Sequence, residues 1–212
     1  MPKLPKEPDL DWLRDTPPSL ITVGPNLPLH RIYKRGGDYP TLWNTFRQFG
    51  PLSRFDHHLT NEKNEPFLQN RGTLYAAGDV PTAVAEYFQR NRRRINRFRH
   101  RPWLASFTLP VELQLLDLTD TFCVRVGASM KLMSGPFSHA QRWSQGFYDA
   151  YPDIHGLYYA SSLTNRTAIA LYERADTADL FPSNTRLHRA LADPVLHKPL
   201  MIVAQEIGYR FI

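Results

Sequence analysis

The chain has 212 residues, of which 42% are hydrophobic, 12% aromatic and 22% charged. This composition excludes a disordered chain, a coiled coil and a collagen-like repeat, and the length suits one large domain with a substantial core. The formal net charge of +6 suggests nucleic-acid binding at first. However, residues 90–101, the arginine segment, contain seven arginines and no acidic residue. The rest of the chain has 19 basic and 20 acidic residues and is therefore nearly neutral.

The single cysteine, Cys123, excludes an intramolecular disulfide and a cysteine-based zinc site. It lies in an apolar run, which favours a buried structural thiol over a nucleophile. Residues 1–8 lack the apolar segment of a secretory signal. No uncharged run approaches the roughly 18 residues of a membrane helix, so we expect a cytoplasmic protein with no membrane contact.

Residues 1–28 contain seven of the 18 prolines. Because proline removes a backbone donor, this stretch predicts an extended arm that is neither a long helix nor a central strand. We expect the arm to pack on the rest of the chain through Leu10, Trp12 and Leu13. A single domain is predicted over residues 29–212.

Eight short apolar or alternating runs between turn-forming residues predict strands. They are residues 29–33, 73–77, 103–109, 113–118, 122–126, 156–160, 167–172 and 201–205. Helices are predicted over residues 82–91, after start signals at Asp79 and Pro81, and over 138–150, with Ser138 as a candidate cap. Many short strands with few helices indicate an α+β fold.

Several common catalytic motifs are missing from the sequence. No glycine-rich dinucleotide loop, phosphate loop, His-Glu-x-x-His or Gly-x-Ser-x-Gly motif occurs. His57 and His58 are adjacent, so on a strand they would point to opposite faces and would not share a metal easily. The sequence therefore predicts no metal site.

Three motifs occur in a characteristic order. Residues 30–33 read His-Arg-Ile-Tyr and are followed by Ser-Arg-Phe-Asp at 53–56. Residues 72–77 then form a strand that leads through a turn into a helix carrying Glu86, and residues 156–161 form a strand ending in serine. Together they resemble the RES domain, a family named after its Arg, Glu and Ser, which supplies the toxin of bacterial toxin–antitoxin pairs with an Xre-type antitoxin.

The resemblance covers roughly residues 29–175 and implies a fold similar to the ADP-ribosyltransferase toxins. It implies NAD as substrate, no other cofactor, and cleavage of the nicotinamide–ribose bond by hydrolysis or phosphorolysis. Transfer of ADP-ribose to a protein is an alternative, because all three reactions share the cation-forming step. The implied partner is an Xre-type antitoxin, with nucleic acid contacted only through it.

The resemblance assigns catalytic roles to Arg31, Glu86 and Ser161. Breaking the bond leaves an oxocarbenium-like cation on the ribose, and a nearby carboxylate, Glu86, is expected to stabilise it and to accept a bond from the ribose 2′-hydroxyl. We expect Arg31 to bind the pyrophosphate and Ser161 to bind the ribose or the amide. Taken singly, Glu86 would be a solvated helix residue, Arg31 a surface charge and Ser161 the end of a strand.

Three further residues are predicted to bind substrate. Arg54 is a second candidate for the pyrophosphate, and Tyr75 offers an aromatic face for the nicotinamide. Tyr33, in the same motif as the first arginine, completes the set. Without the resemblance, Arg54 would be read as a surface charge and Tyr75 as a core residue.

The arginine segment leaves several explanations open. Ile95 and Phe98 lie three residues apart, which allows a helix with a narrow apolar edge. Such a helix would be a solvated extension whose arginines pair with scattered carboxylates, a surface for an acidic partner or nucleic acid, or a positive rim that attracts NAD. A non-enzymatic binding module using this segment is a second alternative for the whole protein.

Overall fold

The computed structural model describes residues 7–91 and 93–212. Its strands are β1 Leu20–Val23, β2 Leu29–Lys34, β3 Arg47–Gly50, β4 Phe67–Ala77, β5 Arg94–Ile95, β6 Pro102–Phe107, β7 Leu113–Asp117, β8 Gly156–Ala160, β9 Thr167–Tyr172, β10 Leu187–Ala190 and β11 Arg210–Phe211. Its helices are α1 Leu10–Asp15, α2 Val80–Phe88, α3 Phe122–Arg125, α4 Lys131–Ser134, α5 Phe137–Ala150 and α6 His197–Glu206. Strands and helices mix without regular alternation, and the predicted α+β class is confirmed.

Nine of the described strands form one mixed sheet in the order β1-β7-β8-β9-β4-β2-β6-β10, with β3 paired to β4. Neighbouring strands are antiparallel apart from the parallel pair β7–β8. Strands β5 and β11 form a separate, parallel pair. No helix in the described part of the chain combines the length and the apolar character needed to cross a bilayer.

The sheet opens between two of its central strands. Within the described chain, β2 and β4 pair at one position, His30 opposite Ala77. By contrast, β2 pairs with β6 at six positions and β4 with β9 at five. Because each strand is held mainly by its outer neighbour, the gap between β2 and β4 provides space for a site.

Apolar side chains cover both faces of the sheet. Along β9, Ala168, Ala170 and Tyr172 pack in a cluster with α5, whereas Ile169 and Leu171 join a cluster on the opposite face. This alternation follows from the two-residue period of a strand. A third cluster packs α2 against α6, which anchors α2 beside the gap.

Two predicted strands are wrong, because both runs are helical. The first of these runs, residues 122–126, forms α3 and the residue after it. The Asp120 carboxylate accepts a hydrogen bond from the Phe122 amide at 2.6 Å at the start of this helix. Residues 201–205 lie inside α6, whose buried Leu200, Val203 and Ala204 have helical spacing. Short apolar runs do not distinguish a strand from a buried helix. The other six predicted strands are confirmed, and 73–77 is the second half of the longer β4.

Both predicted helices exist, with shifted starts. The Asp79 carboxylate caps α2 by accepting from the Thr82 amide, and the helix begins at Val80. The predicted cap at Ser138 is wrong, because α5 begins at Phe137 after Pro136. Proline has no backbone N–H and is disfavoured inside a helix, but its fixed φ suits a position at the helix start.

The proline-rich arm contains a six-residue helix and a strand at the edge of the sheet. Of the three residues expected to pack, Leu13 is buried, whereas Leu10 and Trp12 are 37% and 51% exposed. Residues 1–6 lie outside the described chain, and the division at residue 28 stays a prediction. Cys123 is buried, as expected, and burial raises the pKa of its thiol to about 12.

The helix that the spacing of Ile95 and Phe98 allows does not form in the described part of the arginine segment. Arg94 and Ile95 make up β5 instead, and φ is positive at Arg93, His100 and Arg101. Positive φ is incompatible with a continuous right-handed helix. Arg92 lies outside the described residues.

One of the explanations left open for the segment, pairing with scattered carboxylates, does not occur among the described residues. No described arginine of the segment lies within ion-pair distance of a carboxylate. Its two apolar residues diverge as well, since Ile95 is fully buried and Phe98 is 62% exposed.

Candidate active site

A cleft of about 470 Å³ lies at the gap between β2 and β4, with α2 along one side. Five of the six residues predicted from the motifs line it: Arg31, Tyr33, Arg54, Tyr75 and Glu86. The sixth, Ser161, lies behind Glu86 and contacts it directly. Residues that are far apart in sequence are thus brought to one place by the strand order.

Helix α2 presents one polar face to the cleft. Glu86 lines the cleft, as does Arg90 in the turn directly after the helix, whereas Val84 and Phe88 pack in the cluster with α6. Tyr87 lies at the border and contacts both the cleft and that cluster. The spacing places Glu86 on a different side of the helix from Val84 and Phe88. Taken singly, Glu86 would be a solvated helix residue, and in the fold its side chain lines the cleft.

The Glu86 carboxylate is held by one donor on each oxygen. The Ser161 hydroxyl donates to Oε1 at 2.6 Å, and the Gln89 side-chain amide donates to Oε2 at 2.8 Å. The Ser161 oxygen in turn accepts from the Leu163 amide at 3.2 Å. Since a carboxylate has about four acceptor positions, Glu86 keeps capacity for a hydroxyl in the cleft.

Ser161 is 1% exposed, so the contact that the structure shows is with Glu86. A direct contact between Ser161 and a substrate stays a prediction. The neighbouring Ser162 lines the cleft instead.

Arg31 is a buried guanidinium without a counter-ion among the described residues. Its Nη1 and Nη2 reach the carbonyl oxygens of Tyr75 and Thr45 at 3.4 and 3.3 Å, and its Nε has no acceptor. Burial, helped by the nearby charge of Arg47, lowers the pKa of Arg31 to about 10. An unpaired buried cation is costly, and an anion bound in the cleft would supply the missing charge and acceptor.

Arg54 provides a second positive charge in the cleft. It donates to the carbonyl oxygens of Leu132 and Gly135 at 3.2 and 2.7 Å, and its guanidinium lies 4.5 Å from the centre of the Phe137 ring. Burial lowers the pKa of Arg54, while the charge of Glu86 opposes that shift. The cleft therefore pairs one carboxylate with cations on its walls.

Tyr75 is oriented by a buried ion pair that the sequence did not reveal. Its hydroxyl donates to Asp56 at 2.8 Å and accepts from the Phe55 amide at 3.0 Å. The Arg47 guanidinium contacts both oxygens of Asp56, at 2.7 and 2.6 Å. Burial favours the protonated acid, but Arg47 and the amides of residues 52 and 53 outweigh it and keep the pKa of Asp56 below its usual value. The ring of Tyr75 is thus fixed at the cleft wall.

Tyr33 belongs more to the core than the other predicted residues. It is 3% exposed, and its hydroxyl contacts the imidazole of His188. It lies two residues from Arg31 on β2, so the two side chains share a face. Tyr33 therefore belongs to the lining of the cleft beside Arg31 and is largely covered by the core.

Sequence reasoning missed Gln89 and Tyr159. Gln89 follows Glu86 by three residues on the helix, a spacing that allows contact and would have indicated it. Tyr159 lines the cleft from β8, and burial, followed by the charge of Glu86, raises its pKa well above the usual value. The Tyr159 hydroxyl thus stays protonated beside Glu86. Ser161 follows Tyr159 by two residues, directly after the end of β8.

The adjacent histidines do not form a metal site. His57 Nε2 lies 2.8 Å from a Glu173 carboxylate oxygen, and His58 Nε2 lies 3.0 Å from the Arg47 carbonyl oxygen. No cluster of metal-ligating side chains occurs among the residues that the structure describes.

Comparisons with known proteins bear on the family and the fold of the chain. A family model for the RES domain matches residues 28–192. The fold is similar to a chain in the crystal structure of the M. tuberculosis MbcT–MbcA toxin–antitoxin complex, with a TM-score of 0.59, 15% identity, and coverage of 91% of this chain and 97% of that one. No curated protein matches the sequence.

Proposed function

Because this chain belongs to the RES domain family, we propose that it is the toxin of a toxin–antitoxin pair and that it consumes NAD by breaking the nicotinamide–ribose bond. One observation carries the proposal. Glu86, bracketed by Ser161 and Gln89, faces a cleft that also holds the uncompensated guanidinium of Arg31. A single oriented carboxylate and a site for an anion are the two features that this reaction needs.

The arginines account for substrate binding. NAD carries a pyrophosphate, and a planar guanidinium binds phosphate oxygens through paired hydrogen bonds. Arg31 lacks both a counter-ion and an acceptor for Nε, so a phosphate would satisfy it. Arg54, which also lines the cleft and interacts with the charge of Glu86, would bind a second phosphate oxygen.

Glu86 accounts for the chemistry. As the C–N bond breaks, its electron pair leaves with nicotinamide and positive charge develops on the ribose. The Glu86 carboxylate stabilises this charge and accepts the ribose 2′-hydroxyl on a free lone pair. Nicotinamide already carries a positive charge in NAD, so it departs as a neutral molecule and needs no acid catalyst.

Ser161 and Gln89 act as positioning residues. Each donates one hydrogen bond to a different carboxylate oxygen of Glu86, which restricts the rotation of the carboxylate. Pre-orientation of this kind avoids reorganisation when charge develops. Tyr75, with its hydroxyl tied to Asp56, presents a fixed ring on which nicotinamide stacks.

The proposed products depend on the nucleophile. Attack by water gives ADP-ribose and releases a proton, whereas attack by phosphate gives the 1″-phosphate of ADP-ribose. The proposed partner is an Xre-type antitoxin. The similar structure of the M. tuberculosis complex contains a toxin with its antitoxin, which supports the pairing.

The test is to incubate the purified chain with NAD and to measure nicotinamide by chromatography, with and without inorganic phosphate. We expect nicotinamide release together with ADP-ribose or its phosphate. NAD labelled on the adenine reports transfer to protein in the same experiment. A folded wild-type chain that releases no nicotinamide in any buffer would contradict the proposal, and label on a protein band would indicate transfer instead.

A further inference from the structure

A group of unpaired arginines lies on the small β5–β11 sheet, outside the cleft. We define the arginine surface as Arg94, Arg97, Phe98, Arg99, Arg210 and Ile212. We propose that this surface binds an acidic, amphipathic segment of a protein partner. The inference does not depend on the NAD reaction, because none of these residues lines the cleft.

Like charges face each other across the strand pair. Arg94 is opposite Arg210 in the register of β5 and β11, and both are exposed. Like charges directly opposite each other destabilise a strand pair. No carboxylate among the described residues lies within ion-pair distance of these arginines, so their charges remain available to carboxylates of a partner.

The backbone around the surface is unusual as well. Among the described residues, five other than glycine have positive φ, and three of them are Arg93, His100 and Arg101. The remaining two are asparagines, which tolerate this conformation. Such conformations concentrate at functional sites, where the surrounding structure maintains them.

Apolar side chains are interleaved with the charges. The Arg97 guanidinium lies 5.1 Å from the ring centre of Phe98 and 4.9 Å from that of Phe211. Phe98 and Ile212 are 62% and 49% exposed. The Ile212 amide donates to the Ile95 carbonyl oxygen at 3.1 Å, which ties this apolar end to the charged strand.

The apolar area continues onto α6. The His197 ring lies 5.2 Å from that of Phe211, and Met201, one helical turn further along, is 48% exposed. Arginine, methionine and aromatic residues together are typical of protein–protein interfaces.

This mixture favours a protein over nucleic acid. Phosphates would pair with the arginines but would leave Ile212 and Met201 without a partner. A long polyanion would also extend past the surface onto the rest of the chain, which is nearly neutral because its other 22 basic residues are balanced by 20 acidic ones. A short segment with carboxylates around apolar side chains matches the chemistry of the surface.

The experiment measures fluorescence anisotropy with three labelled probes of equal charge. They are a helical peptide with leucines spaced three and four apart among glutamates, the same peptide with serine in place of leucine, and a single-stranded oligonucleotide. We expect the amphipathic peptide to bind at least tenfold more tightly than the other two. Absence of measurable binding by this peptide, or equal or tighter binding by the oligonucleotide, would overturn the proposal.

Two variants and a matched control locate the interaction. Arg94→Gln with Arg99→Gln should weaken binding of the amphipathic peptide at least fivefold, and Phe98→Ser should weaken it without affecting the oligonucleotide. The control, Arg14→Gln with Lys63→Gln, removes two charges elsewhere and should bind like the wild type. Equal loss in the control would contradict the location. Nicotinamide release should be unchanged in all these variants, which separates this test from that of the reaction.

Discussion

Glu86 and Glu173 are both partly buried, and they are held in different ways. Glu173, directly after β9, is hydrogen-bonded by three groups. The His57 ring nitrogen and the Gly72 amide each lie 2.8 Å from one of its oxygens, and the Tyr148 hydroxyl lies 2.5 Å from the other. Glu86 has two donors and faces the cleft. A carboxylate surrounded by donors stabilises the fold, whereas one with free lone pairs beside a cavity is available to a ligand.

The electrostatic setting reinforces this difference. Burial alone would raise the pKa of Glu173, but the hydrogen bonds from His57, Gly72 and Tyr148 outweigh it and lower the pKa to about 2. These bonds join β4, α5 and the loop before β4 at a single carboxylate. The same residue type thus has a structural setting at one place and, at the other, the setting that suits its proposed chemical role.

The largest expected effect is that of Glu86→Gln on turnover. We expect kcat for nicotinamide release to fall at least about 10³-fold, which corresponds to about 4 kcal/mol of transition-state stabilisation. Glutamine keeps an acceptor for Ser161, so the melting temperature should change by only a few degrees. Circular dichroism is the control for folding, and a variant with wild-type kcat would show that the carboxylate is misassigned.

Glu173→Gln should change stability and leave the chemistry intact. The pKa of about 2, compared with an ordinary value of 4.5, corresponds to a loss of about 3 kcal/mol in the free energy of unfolding at pH 7. Urea unfolding of the two proteins measures this difference. Normal stability together with a large loss of kcat would reverse the roles of the two glutamates.

The same pKa shift predicts a pH dependence. Since the folded-state pKa of Glu173 is lowered, its contribution is fully present above pH 4.5 and is lost as the pH falls towards about 2. The stability difference between the wild type and Glu173→Gln should therefore shrink across this window. His57, whose pKa is lowered mainly by burial, weakens both proteins below its ordinary pKa. A difference that stayed constant down to pH 2 would be inconsistent with the shift.

Ser161→Ala tests the orientation of Glu86. We expect kcat to fall about tenfold to a hundredfold with KM nearly unchanged, because the lost hydrogen bond positions a catalytic group. Ser162→Ala is the matched control, since Ser162 lines the cleft without contacting Glu86, and it should retain nearly full kcat. A rise in KM at constant kcat would instead indicate that Ser161 contacts the substrate.

Gln89→Ala should have the smallest effect, about threefold to tenfold on kcat, because Ser161 still holds one oxygen of Glu86. Gln205→Ala, on the exposed side of α6, is a control from another helix and should behave like the wild type. If Gln89→Ala reduced kcat as much as Glu86→Gln, the amide would have to contact the reacting atoms itself.

Much of the sheet and most of the site were predictable from the sequence. Strands such as β8 and β9 have the predicted bounds, because bounded runs of alternating or apolar residues indicate strands. The three motifs identified Arg31, Glu86 and Ser161, and the family assignment confirms the resemblance on which they were chosen. The runs that became α3 and part of α6 were mispredicted, since burial on a helix produces the same short apolar pattern.

The local sequence pattern and the composition were enough to predict an α+β fold, to identify the RES motifs and to locate one isolated group of arginines. Only the tertiary structure decided what those residues touch. The hydrogen bond from Ser161 to Glu86 spans 75 residues, and the opposition of Arg94 to Arg210 depends on two strands from distant parts of the chain. Such contacts result from strand order and helix packing, which place side chains in space independently of their separation in sequence.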